Sequence, residues 1–427
     1  MSRFIVFTRR GFKQLSLFPI ILAGLIALLS SRDVSARLTP ARHHLQSNQR
    51  IIHVPGDARS IQAGIDLAGD GDLVLVAPGE YFENIRLEGK TITLASQFQT
   101  TGDSGMIDAT IIDGNGGTAI NVRPSAGPGT KIVGFTIRNG DDGIKAVARL
   151  HILNNHFTGN KDAIDYQDGG GECRDNVFEH NRDDAIDLDG ATEVTIEDNV
   201  IRDSGDDGIE VRLHPYHGPT LDIIIRRNRI TGSDEDGIQL IDYAGESDRL
   251  FLIERNVIQD SRMVGLGLMD NEETKEDYRG SSIPEPIRVF HNTFINNPMG
   301  LTGGDNLVAL NNIFVGSQEI ALKNVDGNSI AAYNLFWGNG TDYQNSNVDT
   351  DNIVLADPRL DAHGRLLPGS PAIDAGGTSF TWKSETVLDL QSYEYSGASP
   401  DLGAYESHGQ VHPLWLSAIL KWINKDY

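Results

Sequence analysis

Five stretches of this 427-residue chain gather acids around a small residue followed by Ile. They are Asp141-Asp142-Gly-Ile-Lys145, Asp162-Ala-Ile-Asp165, Asp183-Asp184-Ala-Ile-Asp187, Asp206-Asp207-Gly-Ile-Glu210 and Asp234-Glu235-Asp236-Gly-Ile-Gln239. Apolar residues alternate within them, as in Ile209-Glu-Val211, which is the period of a strand with one face turned inward. With Ile inward, the next residue points outward, so stacked units place Lys145, Asp165, Asp187, Glu210 and Gln239 in one outward row. Two positions on, Gln167, Asp189 and Arg212 make a second row. Carboxylates one strand apart, about 4.8 Å, repel by roughly 3 to 4 kcal/mol per pair at an effective dielectric near 20. Water and salt reduce that on an exposed face, yet it accumulates over three units, so a bound cation or shared protons are expected. Oxygen-only ligands suit Ca²⁺ better than a transition metal, with Asp165, Asp183, Asp184, Asp187, Asp206, Asp207 and Glu210 as the candidate ligands. Asp before Gly is also ordinary turn chemistry, and that reading stays open.

What must position these acids is a repeat. Asn, any residue, then a large apolar residue returns at Asn155, Asn176, Asn199, Asn228, Asn256, Asn292, Asn312 and Asn334. The spacing is roughly 20 to 36 residues, the mark of stacked supersecondary units. No unit holds a helix-length run of 3.6 periodicity, so the coils are of short strands and the fold is all-β, a parallel β-helix. A turn recurring in register stacks its Asn side chains, which can bond both each other and the turn backbone. A buried Asn ladder follows.

Three longer connections leave the chain just after the acidic strands: Leu213 to Pro219, Asp242 to Asp248, and Met269 to Pro286. In a solenoid such insertions gather on one face and wall a groove. Tyr216, Tyr243 and Tyr278 are candidates for a flat surface under sugar rings, with Gln239 as a polar contact; loop packing is the plainer role for each. His214 and His217 are too few for a metal cluster. Ser60 caps a short amphipathic helix from Ile61 to Ala68, which is expected to close the open end of the first coil.

The formal charge is −24, which disfavours nucleic acid and anionic membranes as partners. Cys173 is the only cysteine, so intrachain disulfides and cysteine zinc sites are excluded. Arg3, Arg9, Arg10 and Lys13 precede an apolar run from Leu15 to Leu29 and then Val34-Ser35-Ala36, the order of an export signal over residues 1–36. Thr8-Arg9-Arg10-Gly-Phe12-Lys13 is similar to a twin-arginine signal. A secreted or periplasmic protein with no membrane span after cleavage is expected. The β-helix with its N-terminal cap is assigned to 51–355, an irregular, Gly- and Pro-rich C-terminal cap to 356–406, and an amphipathic tail to 407–427.

The repeats resemble those of the right-handed parallel β-helix superfamily that includes pectate lyases, polygalacturonases and alginate lyases or epimerases. Asp183-Asp184-Ala-Ile-Asp187, with Asp165 one coil earlier, resembles the calcium-binding phrase of polygalacturonate lyases whose catalytic base is Lys. Asp206-Asp207-Gly-Ile resembles the paired-Asp segment of polygalacturonases, but the His-containing and Arg-Ile-Lys segments of that family have no counterpart, nor has the Asp-Pro-His of alginate epimerases. Asp357-Pro358-Arg-Leu360, Leu367 to Gly376 and Asp401 to Glu406 resemble the closing segment of secreted bacterial β-helix proteins. The resemblance implies calcium-assisted β-elimination on an acidic polysaccharide; the row's own residues offer Lys145 at its end as the base, with Lys161 and Lys275 in reserve, and Arg212 as the charge clamp. Two alternatives remain, a two-carboxylate glycoside hydrolase and a non-catalytic carbohydrate-binding or cell-envelope scaffold.

Overall fold

The computed structural model describes residues 49–270, 278 and 283–407. The export signal over 1–36, the tail from 408 onward and Lys275 lie outside these residues. Alternating short strands build three long parallel sheets, of twelve, eleven and twelve strands, and one two-stranded hairpin. Sheet A runs from Ile51–Val54 to Ile330–Ala332, sheet B from Gly79–Phe82 to Val354–Leu355, and sheet C from Ile85–Leu87 to Tyr343–Gln344. Each turn of chain gives one strand to each sheet in the order A, B, C. This is a right-handed parallel β-helix, and the one helix among the described residues longer than a single turn and a half, Ile61–Leu67, precedes the first full coil.

The inward residues form one continuous core. Ile144, Ile164, Ile186, Ile209 and Ile238 are fully buried in it, as sheet C requires, and Phe157, Phe178, Phe294, Phe314 and Phe336 are buried on sheet B. The rings of Phe157 and Phe178 stack at 4.9 Å between centroids, those of Phe294 and Phe314 at 4.8 Å, which is the strand spacing itself.

The Asn ladder sits at the A-to-B corner. The amide of Asn199 exemplifies it: Nδ2 donates to Cys173 O and to Asn228 Oδ1, while its own Oδ1 accepts Asn176 N. Each ladder Asn follows a residue in the left-handed region, including Arg227, Arg255, His291 and Tyr333. Side chains of those types reach that region only at a cost of about 1–2 kcal/mol, and the ladder bonds hold it. The B-to-C corner repeats the left-handed step, followed by Asn160, Asn181, Ser204, Ser233, Ser261, Asn297, Ser317 or Asn339, but the hydroxyls of Ser204, Ser233 and Ser261 have no hydrogen-bond partner and interrupt the side-chain ladder. Here Asn160 Oδ1 accepts Gly140 N, and Asn181 Oδ1 accepts Asn160 N. The sequence reading missed this second ladder, whose mark is a polar residue five positions after each Asn of the first.

At the N-terminal end Ser60 Oγ accepts Ala63 N, and the Glu83 carboxylate accepts the amides of Ile61 and Gln62. Ile61 and Ile65 enter the core. Gly64 is required by close packing, since a Cβ there would stand 2.9 Å from Val54 Cγ2. The C-terminal residues run along the flank of the coils. Leu388 and Leu390 cover the outer face of sheet A at Leu310 and Ala332, and Ala372 and Leu402 cover sheet B at Ile313 and Leu335. No helix among the described residues is long and apolar enough to cross a membrane.

Candidate carboxylate site

Register brings the acids of sheet C together. Lys145 pairs with Asp165, Asp165 with Asp187, Asp187 with Glu210, and Glu210 with Gln239. Gln167 likewise pairs with Asp189. Carboxylate oxygens of Asp165, Asp187 and Asp189 lie within 4.8 Å of one another, as do those of Asp184, Asp187 and Glu210. Asp187 is therefore shared by two groups, one with the expected ligand Asp165 and with Asp189, read only as a second-row neighbour, and one with the expected ligands Asp184 and Glu210. Asp183 turns aside to Lys161, which lies 2.8 Å from it and 3.0 Å from Asp162. Asp206 and Asp207 gather with Glu235 in a separate cluster nearer the B-to-C corner.

The expectation of an exposed row needs correction. Asp165 is 5 % exposed, Asp187 7 % and Glu210 5 %. What covers them is largely Arg212. Its Nη1 donates to Asp187 Oδ2 at 2.9 Å and lies 3.5 Å from Asp189 Oδ1, while Nη2 forms an ion pair with Glu210 Oε2. At the other end Lys145 Nζ donates to Asp165 Oδ2 at 2.6 Å. Gln239, proposed from sequence as a substrate contact, is 2 % exposed and backs the row instead.

Burial sets the electrostatics. It raises Asp187 to about 7, against the pull of Arg212 and with help from Asp189 and Asp165. It raises Glu210 to about 8, again opposed by Arg212 and reinforced by Asp187 and Asp207. Asp165 is raised by burial more than Lys145 lowers it. For Lys145 burial works to lower the pKa, but the bond and charge of Asp165, with Asp142 and Asp189 behind, leave it raised. Arg212 is raised likewise, its burial outweighed by Asp187, Glu210 and Asp189. Both cations are held charged, so neither is a ready base while these carboxylates are ionised.

The donor set fits a hard divalent cation. Every converging ligand atom is a carboxylate oxygen, as Ca²⁺ prefers. Asp165 Oδ1 and Asp187 Oδ1 are buried and have no hydrogen-bond partner, a costly arrangement unless something else satisfies them. Among the described residues the basic groups paired with Asp165, Asp187, Asp189 and Glu210 are Lys145, Arg212 and His214.

The insertions rise beside this row. His214 Nε2 lies 3.3 Å from Asp189 Oδ1, and its ring packs on Tyr243 at 4.3 Å between centroids. Arg249 donates to Gly190 O and His214 O and stands over the Tyr216 ring. Tyr216 and Tyr243 are both half-buried beside the row's edge. Tyr278 is not a platform: it is 9 % exposed and its hydroxyl donates to Asp236 Oδ1 at 2.7 Å.

A stacked sheet carrying an acidic row on one outer face defines a class of protein before any single member. The chain belongs to the right-handed β-helix family, whose model, the right handed beta helix region, matches residues 79–217 and 144–339. Among solved structures it is similar to the pectate lyase Pel9A at 15 % identity and TM-score 0.49, over 85 % of this chain and 97 % of that one. It is also similar to an alginate lyase from Paenibacillus sp. (13 % identity, TM-score 0.36, 72 % and 99 % covered). A third is the A-module of an Azotobacter vinelandii mannuronan C-5 epimerase (16 % identity, TM-score 0.40, 70 % and 94 % covered). No curated protein matches by sequence.

Proposed function

We propose that this is an exported, carbohydrate-active β-helix protein that binds Ca²⁺ at Asp165, Asp187 and Asp189 and cleaves an acidic polysaccharide by β-elimination. The observation that carries the reading is the pair of buried, unpartnered oxygens on Asp165 and Asp187. An acidic face repels a polyuronate unless a cation lies between protein and substrate carboxylates. When bound, Ca²⁺ would supply that bridge and stabilise the enolate-like charge that develops as the proton α to the carboxylate leaves.

The chain's own residues divide the remaining work. Arg212 holds the orientation of Asp187 and Glu210 and offers a fixed positive charge beside the row. Lys145 is the proton acceptor in this reading, and it must first be freed from Asp165. Neutralising the Asp165 charge removes the attraction that now keeps its proton in place. Asp184, behind the row, is held well above the usual carboxylate range by burial and by Glu210 and Asp187. Tyr243 and His214 wall the groove where Asp189 emerges.

The test is ultraviolet absorbance of an unsaturated product from polygalacturonate or alginate, with Ca²⁺ and with a chelator. The proposal expects absorbance to rise with Ca²⁺ only, and to be lost in Lys145→Ala. A second reading, a carbohydrate-binding scaffold, is favoured by the secured Lys145 ammonium. Glycan binding with no turnover under any condition would establish it in place of the lyase.

A further inference from the structure

A second site stands on sheet B, apart from the carboxylate row on sheet C. The outer face of sheet B carries two rows of side chains. One, Thr293, Ile313 and Leu335, is covered by the C-terminal residues Ala372, Leu402 and Ala404. The other runs Ile295, Val315, Trp337 in direct register. It forms the floor of a cleft of about 440 Å³ whose far wall is Asp357, Leu360 and Asp361. That volume is within the range of small-ligand sites, roughly 300–1,000 Å³. Trp337 is 46 % exposed at the end of a strand whose neighbouring residue, Phe336, is locked in the core. The indole is thus presented on a rigid base.

The polar groups of the cleft decide what it can hold. Asp357 and Asp361 each use Oδ1 to accept backbone amides, Asp357 from Arg359, Asp361 from His363 and Arg365. Those amides offset the burial of Asp361 and hold its carboxyl below the usual range. Neither Oδ2 has a partner among the described residues. Gln259 and Asn296 close one end, both tied to Asp260 and so fixed in place. The lining itself holds no Lys, Arg or His, and the nearest guanidinium, Arg229, is tied to Gln259 Oε1 and Ala362 O at the rim.

We propose that this cleft binds a neutral polysaccharide, the C–H face of a sugar ring lying on Trp337 and its hydroxyls donating to Asp357 and Asp361. Two carboxylates in the wall disfavour an acidic chain, and Arg229 at the rim is already engaged by Gln259 and Ala362, whereas a polyol supplies hydroxyl donors and an apolar face. A peptide would be expected to add as a strand to a free sheet edge. The strands Ile313–Val315 and Thr293–Ile295 are each paired on both sides and offer none. The inference does not depend on the chemistry of the carboxylate row.

Affinity electrophoresis of the full chain through gels of hydroxyethylcellulose, galactomannan or polygalacturonate tests it, with a lysine-rich peptide titrated separately. The expected result is retardation by a neutral glycan that a chelator leaves unchanged. Trp337→Ala should weaken it at least about tenfold, as for a buried aromatic anchor, and Trp337→Tyr should keep most of it. Circular dichroism of each variant guards against misfolding. The proposal is overturned by no retardation in either neutral glycan, by equal retardation of wild type and Trp337→Ala, or by tighter binding of the peptide than of any glycan.

Discussion

The guanidinium of Arg212 reaches back one coil to Asp187, 2.9 Å from its Oδ2, while holding Glu210 on its own strand. It is the cation that lets two buried carboxylates stand one strand apart. Removing it should be costly, since an unpaired buried charge destabilises by about 3–5 kcal/mol. Arg212→Met is expected to lose stability on that scale in denaturant at pH 9, and much less at pH 5, where Asp187 and Glu210 are protonated. Equal losses at both values would show that the side chain acts by packing alone.

The same carboxyls set a pH dependence. Their folded values, about 7 for Asp187 and about 8 for Glu210, lie above the ordinary carboxylate values of about 4. The folded state therefore binds more protons than the unfolded one between these values. The stabilisation is complete below pH ~4 and is lost as pH rises through 7 and 8. Melting temperature without added metal should fall from pH 5 to 9 and should flatten with Ca²⁺. Calorimetry at pH 7 in buffers of different ionisation enthalpy should record protons released on Ca²⁺ binding. No release would place the cation elsewhere.

The two ladders differ in a way that single substitutions can read. Asn228 Nδ2 donates to Ile196 O and Asn256 Oδ1, and its Oδ1 accepts Asn199 N. Asn228→Ala leaves several buried groups unsatisfied and should cost about 2–4 kcal/mol. Ser233 Oγ is buried with no partner, so Ser233→Ala should change stability by less than about 0.5 kcal/mol. Chemical denaturation of both variants tests the contrast.

Asn311 pins the C-terminal segment. It sits at φ 60°, its Oδ1 accepts Gly377 N at 2.8 Å, and its Nδ2 donates to Gly377 O at 3.0 Å. Asn311→Ala combines left-handed strain with three lost bonds, the third to His291 Nε2, and should cost about 2–4 kcal/mol. Limited proteolysis should then cut within residues 360–400 faster than in wild type, while the coils stay resistant.

The repeat, the inward Ile positions, the Asn ladder and the pairing of Lys145, Asp165, Asp187 and Glu210 were all legible in the sequence. Each depends on an alternation of period two and on a spacing between units, and both are local properties of the chain. The second ladder was legible in principle, but Ser at 204, 233 and 261 hid its regularity. Asp183 and Asp189 were misplaced for a different reason. Asp183 is claimed by Lys161 from the preceding coil, and Asp189 is drawn in by Arg212 and His214 from the following one.

By itself the sequence determined a coiled stack of strands with acids at one register position, because hydrophobic alternation leaves a strand few ways to face its core. Only the tertiary structure decided that those acids are buried, which of their oxygens are left without hydrogen-bond donors, and where the chain's end lies along the flank. Burial depends on what crosses over a residue from distant parts of the chain. Arg212 over Asp187, and residues 357–361 beside Trp337, are such crossings.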